Sequence, residues 1–324
     1  MIESQWYAIL DGREIPKNKP IGVTRLGEKL VLWRDSAEKI HCIKDRCCHR
    51  GASLSKGHVH DDYLVCPFHG FEYDSNGKVY HIPAYGKYFT VPKNFKVEHY
   101  AVRELYGIIW IWYGPLQEVY PEIPFFKELR EGYYYSTFSE VWKVHYTRAI
   151  ENQLDVVHLP FVHHNTIGRG NKVLVNGPVV KWKENLMTFY VFNEEDRGQN
   201  PLKPSEISNY EKFFSLQFQM PNLWQNIISD HIRIVAFFSP IDDSHTKIYL
   251  RFYQNIVRMP LIRDIFAQFS KLANRIILHQ DRHVVLTQQP IKSNLNMDEI
   301  LIQGDLPIIE YRKRRHRLQN PEDD

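Results

Sequence analysis

Cys47-Cys48-His49-Arg50-Gly51 and Cys66-Pro67-Phe68-His69-Gly70-Phe71 decide how the first third of this chain is read. The first stretch is C-x-H and the second C-x-x-H, with 16 residues (50 to 65) between His49 and Cys66. Each loop offers one thiolate and one imidazole. A structural zinc site can use the same four ligands, but zinc knuckles usually draw two cysteines from one loop. One ligand of each kind per loop instead lets both loops touch two metal ions. All four cysteines, Cys42, Cys47, Cys48 and Cys66, are crowded into this region beside His49 and His69, which points to metal rather than to a distributed disulfide framework. Cys42 and Cys48 are left as non-ligands, expected to be small buried residues.

Around these loops the first third is made of short runs of β-branched, leucine and aromatic residues: 30–33, 40–43, 63–66, 102–105 and 108–113. Gly, Asp and Asn separate them, and Asn76-Gly77 marks a hairpin tip. After Gly114-Pro115 the pattern changes, so the spacing predicts domains at 1–116 and 117–324, in line with about 150 residues per domain for a 324-residue chain. The second domain reads as α+β, with a helix from about Thr147, strands between about 172 and 257, a hairpin of 232–239 with 247–253, and a helix over 261–289 that stops at Pro290. With 43% hydrophobic and 24% charged residues the composition is that of a soluble globular protein. A net charge of +3 gives little reason to expect nucleic acid as a partner. No apolar run reaches membrane-span length and the N-terminus lacks a signal-peptide pattern, so a cytoplasmic protein without membrane association is expected.

The second constellation lies in Glu151-Asn152-Gln153-Leu154-Asp155-Val156-Val157-His158-Leu159-Pro160-Phe161-Val162-His163. At about 100° per residue, Ile150, Leu154 and Val157 share one stripe while Glu151, Asp155 and His158 share the adjacent face. His158 and His163 would point about 140° apart on a straight helix. Pro160 is expected to bend or end that helix and return His163 toward His158. Two histidines and one carboxylate form the facial triad of non-haem iron sites. Asp281 is the candidate third ligand, because its helical neighbours Ile277, Leu278, Val284 and Val285 are apolar, where an ionised carboxylate is costly unless paired or metal-bound. Pairing with Arg275 or Arg282 is the bland alternative, and His279 and His283 are second-rank ligand candidates. Trp224, Gln225, Asn226 and Phe237 are picked as possible pocket walls, and the run Arg312 to Arg317 reads best as a solvated tail.

Together these residues resemble the terminal oxygenase subunits of the Rieske non-haem iron oxygenases over essentially the whole chain. His49-Arg50-Gly51 and Cys66-Pro67-Phe68-His69-Gly70-Phe71 look like the cluster-binding loops, with Cys48 standing where proline is common. Asp155, His158 and His163 match D-x-x-H-x-x-x-x-H, and Gln280-Asp281-Arg282-His283 matches the late acidic motif. Asn152-x-x-Asp155 is similar to the monooxygenase and O-demethylase branch, which includes vanillate and dicamba demethylases and saxitoxin-pathway oxygenases. The resemblance implies an all-β Rieske domain followed by a helix-grip-like antiparallel-sheet catalytic domain. It implies a 2Fe-2S cluster on Cys47, His49, Cys66 and His69, and mononuclear Fe(II) on His158, His163 and Asp281. Asp155 then serves electron transfer and Asn152 lines the pocket, with O2 as co-substrate. Because no G-x-G-x-x-G follows a strand, NAD(P)H enters only through a separate reductase or ferredoxin. A homotrimer is implied, in which Asp155 bridges His158 to His69 of a neighbouring subunit. A ring-hydroxylating dioxygenase of the same family is the alternative activity, and a non-catalytic zinc-binding protein or a pure electron carrier the remaining ones.

Overall fold

The computed structural model describes residues 1–322 and divides the chain into two compact units. One comprises Ser4–Ile123 with Pro240–Asp242; the other comprises Met1–Glu3, Pro124–Ser239 and the chain from Asp243 onward.

The first unit has ten strands: β1 Gln5–Asp11, β2 Ile21–Arg25, β3 Glu28–Arg34, β4 Ile40–Lys44, β5 His58–His60, β6 Tyr63–Val65, β7 Glu72–Tyr73, β8 Val79–His81, β9 Val102–Leu105 and β10 Ile108–Tyr113. They form three small antiparallel sheets, ordered β1-β10-β9, β2-β3-β4 and β5-β6-β7-β8. The runs picked out by composition are β3, β4, β6, β9 and β10, and Asn76-Gly77 sits in the turn between β7 and β8. The core around β3, β4 and β6 gathers Val31, Trp33, Ile43, Leu54, Leu64, Phe71 and Tyr73. Cys47 and Cys66 belong to the same buried cluster, so the two loops are anchored by their cysteines.

In the second unit a seven-stranded sheet is ordered β11-β17-β16-β15-β14-β13-β12. Its strands are β11 Tyr134–Trp142, β12 Leu174–Lys183, β13 Leu186–Glu194, β14 Ser215–Gln219, β15 Leu223–Ile227, β16 Ile232–Pro240 and β17 Thr246–Gln254. Antiparallel register aligns Leu216 with Asn226 and Asn226 with Ile234, and likewise Phe218 with Trp224 and Trp224 with Ala236. Because side chains alternate along a strand, these residues share one face. That face packs with apolar residues of α1 Tyr146–Leu154, α3 Pro260–Val285 and α4 Leu306–Gln319, including Ile150, Leu154, Leu278, Val285 and Tyr311. A short α2, Leu159–Val162, follows α1.

Three sequence expectations are corrected here. Helix α3 ends at Val285 rather than running to Pro290. Its last turn tightens through Thr287 N–H to Val284 O at 2.9 Å, and the Thr287 hydroxyl donates to the same carbonyl at 2.7 Å. The bend between His158 and His163 is not made by Pro160. Helix α1 already stops at Leu154, Asp155 is extended (φ −74°, ψ 121°), and Pro160 sits in the first turn of α2, where its missing N–H costs nothing. The run Arg312 to Arg317 is no solvated tail, since it lies in α4 with Arg312 and Arg315 buried. Arg312 donates from Nε to Glu151 Oε1 and from a terminal nitrogen to Oε2, both at 2.8 Å, and Arg148 and Glu299 complete the network. Burial of Glu151 on α1 demands this compensation, which a run of charges read alone does not reveal. No helix among the described residues is long and apolar enough to cross a membrane.

Candidate metal centres

The two Cys-His loops have the same backbone design. Cys47 N–H donates to Ala52 O at 2.8 Å and Gly51 N–H to Cys47 O at 2.9 Å, while Cys66 N–H donates to Phe71 O at 2.8 Å and Gly70 N–H to Cys66 O at 3.1 Å. The closing glycines both have positive φ, 74° at Gly51 and 69° at Gly70, a conformation that a side chain would strain. Each loop thus turns its cysteine inward and its histidine outward. Cys47 and Cys66 are 3% and 2% exposed, whereas His49 and His69 are on the surface with their rings 4.7 Å apart. His49 stacks on Phe71 with the ring centroids 4.9 Å apart and the rings nearly parallel.

Both sulfurs are free of disulfide and lie in one buried cluster, where burial raises the pKa of the Cys66 thiol. Two buried sulfurs with two neighbouring outward imidazoles fit a cluster having an inner, sulfur-held iron and an outer, nitrogen-held one. Tyr73, which the sequence reading missed, places its hydroxyl 3.1 Å from Cys47 Sγ and 3.2 Å from Cys48 Sγ, and it accepts the Cys48 N–H at 3.0 Å. Cys42 is buried as expected, but Cys48 is exposed, because the loop turns outward just after Cys47. Burial raises the pKa of the Cys42 thiol, which leaves it inert.

In the second unit His158, His163 and Asp281 each offer a ligand atom, all within 4.8 Å of one another. Asp155 creates the local chain path. Its Oδ1 accepts Val157 N–H at 2.7 Å and His158 N–H at 3.2 Å, ending α1 and turning the chain so that α2 returns His163 to the same point. The imidazole rings of His158 and His163 lie 5.2 Å apart. Asp281 comes from the buried side of α3, between Leu278 and Val285, whereas Val284 is exposed. The ion pairs of Asp281 are with His158 and His163 rather than with an arginine, and Arg282, like His279, pairs with Glu140 of β11.

Tautomers show that these atoms fit a cation. His163 Nδ1 lies 2.9 Å from Gln280 Oε1, an acceptor that also receives the Thr166 hydroxyl at 2.9 Å, while Gln280 Nε2 donates to Asn165 Oδ1 at 2.7 Å. With the amide oriented this way, Nδ1 carries the proton and Nε2 presents a lone pair. That lone pair faces Asp281 Oδ1 at 2.9 Å, and His158 Nε2 faces the same oxygen at 3.4 Å. The oxygen is buried, so two imidazole nitrogens and a carboxylate oxygen converge on one point where positive charge, a proton or a cation, is required. Burial opposes it, yet Asp155 and Asp281 raise the His158 pKa to about 9, and both carboxyls are held below their ordinary range despite burial. Asp155 Oδ1 is 3.7 Å from His158 Nδ1, on the ring edge away from the triad.

The triad borders a cavity of about 340 Å³. Trp224 and Asn226 line it as expected, but Gln225 and Phe237 do not. Gln225 lies one step out of phase along β15, where it bonds Glu128 and Gln217, and Phe237 faces away to stack on Tyr249. Asn152 is not on the wall either; Gln153 takes that place, and Asn152 Nδ2 is buried without a hydrogen-bond partner.

This pairing of an iron–sulfur type site with a two-histidine, one-carboxylate site defines a class. The model of the Rieske [2Fe-2S] domain matches residues 5–100, and that of the vanillate O-demethylase oxygenase C-terminal domain matches residues 142–320, more than half of the chain. The chain belongs to the Rieske non-haem iron oxygenases, with a catalytic domain of the vanillate O-demethylase oxygenase type. The methylxanthine N1-demethylase NdmA of Pseudomonas putida is 26% identical over 324 residues, covering 97% of this chain and 88% of that protein. Its structure with caffeine aligns at a TM-score of 0.81 and 24% identity over 99% of this chain and 92% of that one, a likeness of fold. The chloroplast protein TIC 55 of Pisum sativum is 26% identical over 95% of this chain, and the match spans 57% of that longer protein. The match to TIC 55 of Arabidopsis thaliana, 30% identical over 50% of this chain, spans 30% of that protein's length.

Proposed function

We propose that this chain is the terminal oxygenase component of a multi-component system that hydroxylates or demethylates a small organic substrate, with electrons from a separate reductase or ferredoxin. Residues 1–116 carry the cluster on Cys47, His49, Cys66 and His69, and residues 117–324 carry iron on His158, His163 and Asp281. The observation that carries this reading is the convergence of one ligand atom each from His158, His163 and Asp281 on the edge of a cavity. When bound, the cluster supplies single electrons and the iron activates dioxygen, three protein ligands leaving coordination positions open.

The protein's own part is positional. Gln280, locked by Thr166 and Asn165, keeps the His163 proton on Nδ1. Asp155 shapes the turn and faces the far nitrogen of His158. The largely apolar cavity holds substrate beside the triad and limits access of water. Surface placement of His49 and His69 gives a donor or a neighbouring subunit a short path to the cluster. A homotrimer fits this reading, with Asp155 linking His158 to His69 of the next subunit; the family of the C-terminal domain favours monooxygenation or demethylation over ring dihydroxylation. Free cysteines and an oxygen-sensitive cofactor suit a reducing compartment such as the cytoplasm.

Anaerobically purified protein is expected to show Rieske absorption and electron-resonance signals that vanish in Cys66→Ser. Colourless protein with stoichiometric zinc and no labile sulfide would rule the reading out. Asp155→Asn is expected to keep the cluster and the trimer while slowing oxidation of the reduced cluster in single turnover; an unchanged rate removes Asp155 from the electron path.

A further inference from the structure

The cavity beside the triad carries information about its occupant. Its volume of about 340 Å³ is roughly twice that of an engineered apolar cavity of about 150 Å³ that accepts benzene, which sets the scale at one or two rings. Leu216, Trp224, Ile234, Leu250 and Leu278 make its walls apolar, and its exposed residues Ile167, Phe214 and Ile228 are apolar as well. Among the described residues lining it there is no lysine or arginine. The ionisable groups on its surface are His158 and His163 with the acids Asp155 and Asp281, that is, the metal-binding set and its acidic neighbour. Elsewhere its polar groups are neutral: the amides of Gln153, Asn226 and Asn274, standing on α1, β15 and α3, and the indole N–H of Trp224 on β15.

We propose that this cavity selects a neutral, mainly apolar molecule of one or two rings and rejects its carboxylate or sulfonate analogue. The inference rests on the oxygenase reading above and narrows its substrate class. A buried carboxylate needs a cation or several strong donors, and the walls provide no cationic side chain. Asp155 and Asp281 together offset the charge of a divalent cation held by the triad, so the site has no positive charge left over for a second carboxylate to set against its loss of solvation. A neutral ring with an ether, amide or lactone group loses little on entry, because apolar walls receive its faces and the three amides receive its polar atoms.

The test uses holoenzyme loaded with cluster and iron. Calorimetric titration compares 4-methoxybenzamide with 4-methoxybenzoate, a near-isosteric pair that differs in charge, and 7-methoxycoumarin serves as a neutral two-ring probe. The neutral probes are expected to bind at least about 100-fold more tightly than the carboxylate, the scale of an uncompensated buried charge. Asn274→Arg is expected to bring the carboxylate to within about tenfold of the amide by supplying the missing cation. Wild-type carboxylate binding within threefold of the amide would overturn the inference, as would failure of every neutral probe to saturate the protein at millimolar concentration; both arms stand even if the variant does not fold. Holoenzyme that binds the neutral probes but never couples cluster oxidation to oxygen uptake would sink the oxygenase reading alone. Coupled turnover of the carboxylate in preference to the amide would sink the substrate class alone.

Discussion

Replacing Gln280 with leucine tests whether the triad is built for a metal. In the native chain Gln280 Oε1 accepts from His163 Nδ1 and from the Thr166 hydroxyl, both at 2.9 Å, and His163 is 1% exposed. Gln280→Leu leaves that ring N–H without its acceptor in a site water scarcely reaches. The ring is then free to rotate or to move its proton to Nε2, the atom that faces Asp281. Loss of a hydrogen bond that orients a metal-ligating histidine typically lowers affinity by about 10–100-fold, or about 1.4–2.7 kcal/mol. Competition of Fe(II) against a chelator, followed on protein whose iron–sulfur absorption serves as the internal folding control, measures this directly. Gln280→Glu, which keeps an acceptor in place, is expected to retain most of the affinity. Equal affinity in wild type and Gln280→Leu would refute the assigned tautomer and its role.

Glu151→Leu leaves the buried Arg148 and Arg312 to share Glu299 alone, and chemical denaturation is expected to show a loss of about 3 kcal/mol, the lower end for a broken buried ion pair. Tyr73→Phe removes the O–H that points at Cys47 Sγ; cyclic voltammetry is expected to find a lower cluster midpoint potential, since hydrogen bonds to sulfur favour the reduced state. His145, buried and near Lys292 and Arg315, has its pKa lowered to about 3 from 6.5. Between these values the unfolded chain binds a proton that the native chain does not, so stability falls as pH drops below 6.5, by about 2–3 kcal/mol at pH 4.5. His145→Asn, which keeps a side-chain acceptor at the start of α1, is expected to flatten that part of the acid-unfolding curve; an unaltered curve means His145 is not a determinant of it.

Legibility from sequence followed the range of the interaction. Cys47, His49, Cys66 and His69 lie in two short loops, and their chemistry survives without coordinates. Asp281 was visible because an acid stood among apolar positions of one helix, and the structure indeed buries it between Leu278 and Val285. The turn that brings His158 and His163 together lies before His158 rather than at Pro160, because helical periodicity continues through Asp155 while its side-chain oxygen, bonded to the Val157 and His158 amides, stops the helix there. Gln280 and Tyr73 escaped notice for another reason: their partners are 117 and 26 residues away, and a neutral polar side chain beside a ligand leaves no mark in composition. The run beginning at Arg312 did leave a mark, since Ile308, Tyr311 and Arg315 recur at helical spacing and are all buried. Pocket walls were half legible: strand alternation separates Trp224 and Asn226 from Gln225, but which parity faces inward depends on sheet packing.

Iron and labile sulfide counted per chain in wild type and Asp281→Ala test the central claim most directly. The account predicts three irons and two sulfides in the wild type, and two of each in the variant, with the Rieske spectrum unchanged and substrate turnover abolished. A variant that keeps its third iron and its turnover, or a wild type with no sulfide, would contradict it.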